Sequence, residues 1–255
     1  MKSILTFPIF CTVFAVGMVI TSHVHGQAIA DFSRGEGTVR ASTQFVGATG
    51  DGWLTPWNIF SENTKLTTTV ERSNPIFGPN NYLQVRIEAG AKAQRRTAVS
   101  RSFETALAEN AHTIAFSIRP DDLTGWGSND FFGIFATNNP LTTTTSTDAQ
   151  TWGILILGSS NTISFRDGED SSIQTGIPFT EGVTYSFVLN IDPVNNSWVG
   201  SVSTSENESF TSGYMEYRRD NTVGRTVNIN TLMDSNQATS NDNWTYSLDG
   251  LSIIP

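Results

Sequence analysis

Along most of the chain apolar and polar residues alternate singly, the period required of a strand with one buried face. The pattern is clearest over 182–205, GVTYSFVLNIDPVNNSWVGSVSTS. Tyr185, Phe187, Leu189 and Ile191 fall on one side, and Thr184, Ser186, Val188 and Asn190 on the other. Asp192, Pro193, Val194, Asn195 and Asn196 then supply turn chemistry, since proline cannot donate to a ladder and asparagine tolerates left-handed backbone. Trp198, Gly200 and Val202 resume the alternation, so the segment predicts a β-hairpin with one apolar face. Further strands are predicted at 39–45, 66–71, 82–88, 97–103, 113–119, 131–137, 152–157, 162–166 and 244–254. Gly50-Asp51-Gly52, Asn74-Pro75, Gly78-Pro79, Pro120-Asp121-Asp122, Asp167-Gly168 and Asp249-Gly250 separate them as turns. Only 104–111, ETALAENA, reads as a short helix.

Many short strands without a fixed-length repeat exclude a solenoid or propeller and call for two packed antiparallel sheets. The expectation is an all-β jelly-roll sandwich of about eleven to fourteen strands, one domain over 27–255. Ile114, Phe116, Ile118, Phe187, Leu189 and Val202 should lie in its core. Strands 131–137 and 152–157 are apolar on both faces, so both must be covered on both sides, either by a loop or by an apolar ligand. The run LTTTTSTD at 141–148 reads as a surface loop between them.

Residues 1–26 stand outside this pattern. Lys2 is their only charge, 4–20 is an apolar run too short for a stable span, and the small residues Gly26, Ala28 and Ala30 follow. This is a signal peptide, with cleavage after Gly26 or Ala28, and the expected product is secreted, extracellular or periplasmic. No later segment predicts membrane insertion. Cys11, the single cysteine, departs with the leader, so the fold must hold without disulfides. A core of this size can, because about 70% of the unfolded surface is buried in a domain of such length.

The chain carries 15 Lys and Arg against 24 Asp and Glu, a formal net charge of −9, and losing Lys2 makes it one unit more negative. Bulk charge therefore argues against nucleic acid as a partner. It leaves room for an acidic polysaccharide gripped by a local basic cluster.

AHTIAFSIRPDD (111–122), NDFFGIFATNN (129–139), TWGILILGSS (151–160), the hairpin and NWTYSLDGLSI (243–253) together resemble the secreted bacterial concanavalin A-like jelly rolls of laminin-G and lectin type. ADFSRG at 30–35 is similar to the opening strand of that group, and 247–253 to its closing strand. The resemblance implies a concanavalin A-like lectin/glucanase sandwich. It also implies a group containing sugar-binding modules, glycoside hydrolases and polysaccharide lyases, among which fold does not select.

A retaining glycosidase needs two carboxylates on one strand face. The Glu-x-Asp-x-x-Glu pattern of the laminarinase-like branch is absent, and the nearest groups, Asp167/Glu169/Asp170 and Glu206/Glu208, sit at turns. A lyase needs a Tyr or His base with Arg, Gln or Asn to neutralise a uronate. His112, the one histidine after the leader, shares parity with Ile114 and reads as structural. Tyr214 and Tyr217 beside Arg218 and Arg219 form a Tyr/Arg pairing that a loop with aromatic anchors would equally produce.

Parity selects a binding face instead. Gln84, Arg86 and Glu88 oppose Leu83, Val85 and Ile87, while Arg119 opposes Ile118; if their strands share a sheet, they line a groove suited to vicinal hydroxyls, with Trp126 stacking at its rim. An ordinary solvated sheet face has the same pattern. Zinc is not indicated, since no His/Cys cluster exists. A structural calcium could be held by Asp31 and Asp249 if the terminal strands pair, as the resemblance implies. Asn195, Asn207 and Asn243 head Asn-x-Ser/Thr sequons. The leading expectation is a monomeric carbohydrate-binding module for extracellular polysaccharide. A polysaccharide lyase or glycoside hydrolase is the alternative, and a structural or adhesive surface protein the third.

Overall fold

The computed structural model describes residues 27–30, 32, 53–61, 65–74, 76, 81–88, 95–103, 109–137, 150–218, 228–235 and 243–255. In chain order their strands are β1 (Ala28–Ala30), β2 (Asn58–Ser61), β3 (Lys65–Glu71), β4 (Tyr82–Glu88), β5 (Arg95–Ser102), β6 (His112–Thr124), β7 (Asp130–Thr137) and β8 (Gln150–Leu157). The second half contributes β9 (Thr162–Asp167), β10 (Ser171–Pro178), β11 (Tyr185–Asp192), β12 (Ser197–Thr204), β13 (Ser209–Thr211), β14 (Met215–Glu216), β15 (Asn228–Ser235) and β16 (Asn243–Ile254). The strand expected at 39–45, the 141–148 loop and residues 104–108 of the expected helix lie outside the described residues.

Two antiparallel sheets result. The first runs β13-β12-β11-β6-β16-β4-β3, with β1 added to β16 and β14 to β12; the second runs β10-β9-β8-β7-β15-β5-β2. In the first sheet Phe187 stands opposite Phe116 and Leu189 opposite Ile114, and the two phenylalanine rings stack with centroids 5.1 Å apart. All six residues expected in the core are buried there. The second sheet answers with Val99, Phe132, Ile134, Trp152, Ile154, Ile163 and Phe165. Phe132 of β7 meets Tyr246 of β16 across the interior at 5.2 Å.

Gly250 lets β16 serve two neighbours. Its φ of +63° is a left-handed value that a side chain disfavours, and the register against β6 shifts between Asp249 and Ser252. Before the shift, 243–248 pair with β4; after it, 251–253 pair with β1.

The strand number exceeds the expectation because several strands lack clean alternation. β1, β13 and β14 have three residues or fewer, and β10 is interrupted by a register shift with Gly176 at φ +76°. β15 pairs with both β7 and β5, yet its sequence NINTLMDS carries two Asn and an Asp, residues depleted in strands. A further correction concerns 120–122, which turn chemistry assigns to a turn. β6 continues through them to Thr124, with its register against β16 shifting there. Proline is tolerated inside a sheet at such a bulge.

Removing the Phe187 ring should open a cavity beneath Phe116 that neither sheet can fill. Phe187→Ala is expected to cost about 3–5 kcal/mol, read as a lowered denaturation midpoint with an unchanged slope.

Candidate functional site

The bulge in β6 builds the first polar cluster. Tyr246 faces Pro120 and Thr245 faces Asp122, which leaves Asp121 as the extra residue. A bulge re-aims the side chain it carries. Here the Asp121 carboxylate accepts Arg119 Nε at 2.6 Å on Oδ1. Its Oδ2 accepts Gln84 Nε2 at 3.2 Å, together with the Ser247 hydroxyl. The Arg119 guanidinium also lies 5.7 Å from the Tyr82 ring centroid, and Arg119, Tyr82 and Ser247 are all buried. Gln84 and Arg119 thus do come together on one sheet. Asp121 is the group that meets them, and a turn reading of Pro120-Asp121-Asp122 hides it.

Arg86 and Glu88 continue the β4 face, paired with each other at 3.5 Å, with the Arg86 side chain 57% exposed. Trp126 lies elsewhere. It packs over the core against Trp244 at 5.6 Å and Phe179 at 6.1 Å, and donates Nε1 to Asn161 Oδ1 at 3.2 Å. Asp249 is buried and accepts the Gly250 amide at 2.7 Å, while Asp31 lies outside the described residues. β1 pairs with β16, but the described residues contain no group of three or more His, Cys, Asp or Glu that could hold a metal ion. Asp249 does not by itself fit a calcium shell of about six to eight oxygens.

His112 is buried with Nδ1 2.8 Å from the Asn110 carbonyl and its ring edge-on to Phe103 at 6.0 Å, a structural histidine. Tyr214 is 86% exposed, whereas Tyr217 packs against the core. Burial, and then the charge of Asp192, push the Tyr217 phenol well above the usual tyrosine range. Asp167 Oδ1 accepts the Glu216 amide at 2.9 Å. Glu169, Asp170, Glu206 and Glu208 are exposed in the β9–β10 and β12–β13 turns.

A second polar cluster lies on the face of the second sheet turned away from the core. Phe165 points inward, so strand parity turns Ser164 and Arg166 outward. Gly153 of β8 is paired with Phe135 of β7. A Cβ built on Gly153 would lie 3.5 Å from each of Arg166 Cγ, Gln150 Oε1 and Phe135 Cβ. Arg218 reaches the same place from the segment after β14: its amide donates to the Thr151 carbonyl at 2.8 Å and its Nη1 to Gln150 Oε1 at 3.1 Å. Both arginines are half-buried. Arg166 Nε is buried and has no hydrogen-bond partner. Burial first, and the charge of Arg218 second, lower the Arg166 guanidinium from the usual arginine range, with Asp170 opposing them. The members of this cluster are far apart in the chain, so no local pattern of sequence contains it.

The fold is that of the concanavalin A-like lectin/glucanase sandwiches. The chain is similar to the catalytic domain of a glycoside hydrolase family 131 protein from Coprinopsis cinerea at 15% identity, with 74% of this chain and 77% of that one covered and a TM-score of 0.55. It is similar also to a protein of unknown function from Shewanella oneidensis MR-1, at 12% identity over 89% and 84% of the two chains, TM-score 0.54. Lectin II from Ulex europaeus is a more distant likeness, at 9% identity over 77% and 97%, TM-score 0.48. No protein-family model and no curated protein matches the chain.

The Asp121 cluster makes a stability claim. Asp121→Ala leaves the buried Arg119 guanidinium without its carboxylate and should cost about 3 kcal/mol. Glu88→Ala, which removes only the half-buried partner of exposed Arg86, should change the denaturation midpoint by less than about 1 kcal/mol. Comparing the two urea midpoints checks both.

Proposed function

We propose that the chain is an exported carbohydrate-binding module that acts on extracellular polysaccharide by holding it, without cleaving it. The observation that carries this reading is the cluster around Gly153, where Arg166, Gln150 and Arg218 gather on one sheet face. Guanidinium groups are planar and match vicinal hydroxyls or a carboxylate with paired hydrogen bonds, and the buried Gln150 holds one of them in place. The Coprinopsis cinerea neighbour is described as a glycoside hydrolase, and a sugar ligand on this fold is consistent with that, although fold alone sets no activity.

Retention on affinity gels tests the reading. The protein should be slowed by at least one polysaccharide among alginate, glycosaminoglycans and β-glucans, and should release neither unsaturated uronate absorbance nor new reducing ends. Release of either product would make it a lyase or hydrolase. Retention lost in Arg86→Ala but kept in Arg166→Gln would move the site to the first sheet.

Export rests on the leader at 1–26, and the pairing of β1 supports the first of its two cleavage positions. Ala28 is fully buried and pairs with Ile253, so cleavage after Ala28 would cut into β1, while cleavage after Gly26 leaves it whole. N-terminal sequencing of exported protein should therefore begin at Gln27.

A further inference from the structure

We propose that Arg166, supported by Arg218, binds an oxyanion substituent of the glycan, a uronate carboxylate or a sulfate ester, so that the ligand is an acidic polysaccharide. This rests on the carbohydrate-binding reading and names its substrate class. Three features of the cluster lead to it. Arg166 Nε is a buried donor with no partner, and no described residue hydrogen-bonds to or ion-pairs with that guanidinium. A donor in that state normally has one. A second arginine lies close enough for its charge to be felt at the first. Two like charges in a half-buried place repel each other, and an anion between them adds an attraction to each that outweighs their mutual repulsion.

Arg218 is a positioned charge rather than a free one. Gln150 holds its Nη1 and Thr151 holds its amide, which fixes the side chain beside Gly153. A larger residue than glycine at 153 would occupy the space against Arg166 and Gln150. Among the described residues no acidic side chain hydrogen-bonds to or ion-pairs with Arg166. Asp167 is engaged by the Glu216 amide, and Glu169 and Glu216 are exposed. Asp170, also exposed, only partly offsets the two arginines at Arg166. The strongly negative net charge of the chain also opposes non-specific attraction of a polyanion, so retention of one would have to come from a local contact.

The experiment is affinity electrophoresis with three gel types. Polygalacturonate or alginate carries carboxylate only, carrageenan carries sulfate without uronate, and a β-glucan carries neither. The expected result is retention on a carboxylate or sulfate gel, weakened about tenfold in Arg166→Gln, the effect of losing one charge-assisted contact. Arg72→Gln, which removes an exposed positive charge elsewhere, should bind as the parent does. Whichever acidic gel retains the protein identifies the oxyanion. Thermal midpoints are measured in parallel. Arg166→Gln and Arg166→Met should fold with midpoints equal to or above the parent, because each removes an unmet buried donor. A lowered midpoint in both, with binding unchanged, would make Arg166 structural and overturn the proposal. Retention on β-glucan alone would overturn the acidic ligand and leave the carbohydrate-binding reading standing. No retention on any gel would remove both.

Discussion

Trp198 of β12 meets Phe165 of β9 edge-on across the interior, with ring centroids 5.6 Å apart and Trp152 of β8 a further neighbour at 6.3 Å. Gly200 makes this contact feasible. A Cβ there would lie 2.9 Å from the Trp198 ring and 3.0 Å from Phe165, closer than packed atoms approach. The rings thus fill the place of a missing side chain, and the two sheets interlock at that point as interiors require. The consequence travels outward through strand parity. With Phe165 committed to the core, Ser164 and Arg166 have no choice of face, and Arg166 is delivered beside Gly153. The arrangement of the candidate site on the second sheet is therefore dictated from the core side.

The two sheets treat their charged residues in opposite ways. On the first, the β6 bulge supplies Asp121 to Arg119, Gln84 and Ser247, and the cluster closes on itself. A buried ion pair of this kind is costly to break but adds little net stability over an apolar replacement. It gives the terminal strand β16 a polar tie to β4 and β6, which favours one register over its slipped alternatives. On the second sheet no carboxylate among the described residues pairs with Arg166. The same residue type has a structural role on one face and is left unmet on the other, and the presence of a bulge carboxylate is the difference.

The fold was legible because its signal is local. Phe116 and Phe187 are assigned inward by their neighbours two residues away, and the structure stacks them. What escaped was whatever departs from alternation for a tertiary reason. β15 forms between two strands despite its asparagines, since ladder hydrogen bonds on both sides outweigh a weak propensity. Pro120-Asp121-Asp122 has the composition of a turn and the conformation of a bulged strand, because β16 pairs across it. Of the binding residues drawn from parity, Gln84 and Arg119 share a cluster, Arg86 and Glu88 pair with each other, and Trp126 turns to the core edge. Trp126 could not have been placed from sequence, since the position of a loop tryptophan depends on which apolar surface the loop crosses, here Trp244 and Phe179. The cluster around Gly153 depends on long-range pairing of β7 with β8, β8 with β9, and 218 with 150, and no window of sequence contains it.

An unmet, half-buried guanidinium is unfavourable, by about 1–3 kcal/mol for a donor left without a partner. An uncharged side chain at 166 would keep Phe165 inward and β9 paired with β8 equally well. A sandwich with an interior as extensive as this one tolerates such a cost, and stability surrendered at a surface site without structural return is the usual mark of a place reserved for a ligand. The global charge sharpens the point. A net-negative chain gains no long-range steering of an acidic glycan, so selection among ligands falls to contacts made at short range, where a guanidinium fork distinguishes an oxyanion from a hydroxyl by geometry as well as by charge.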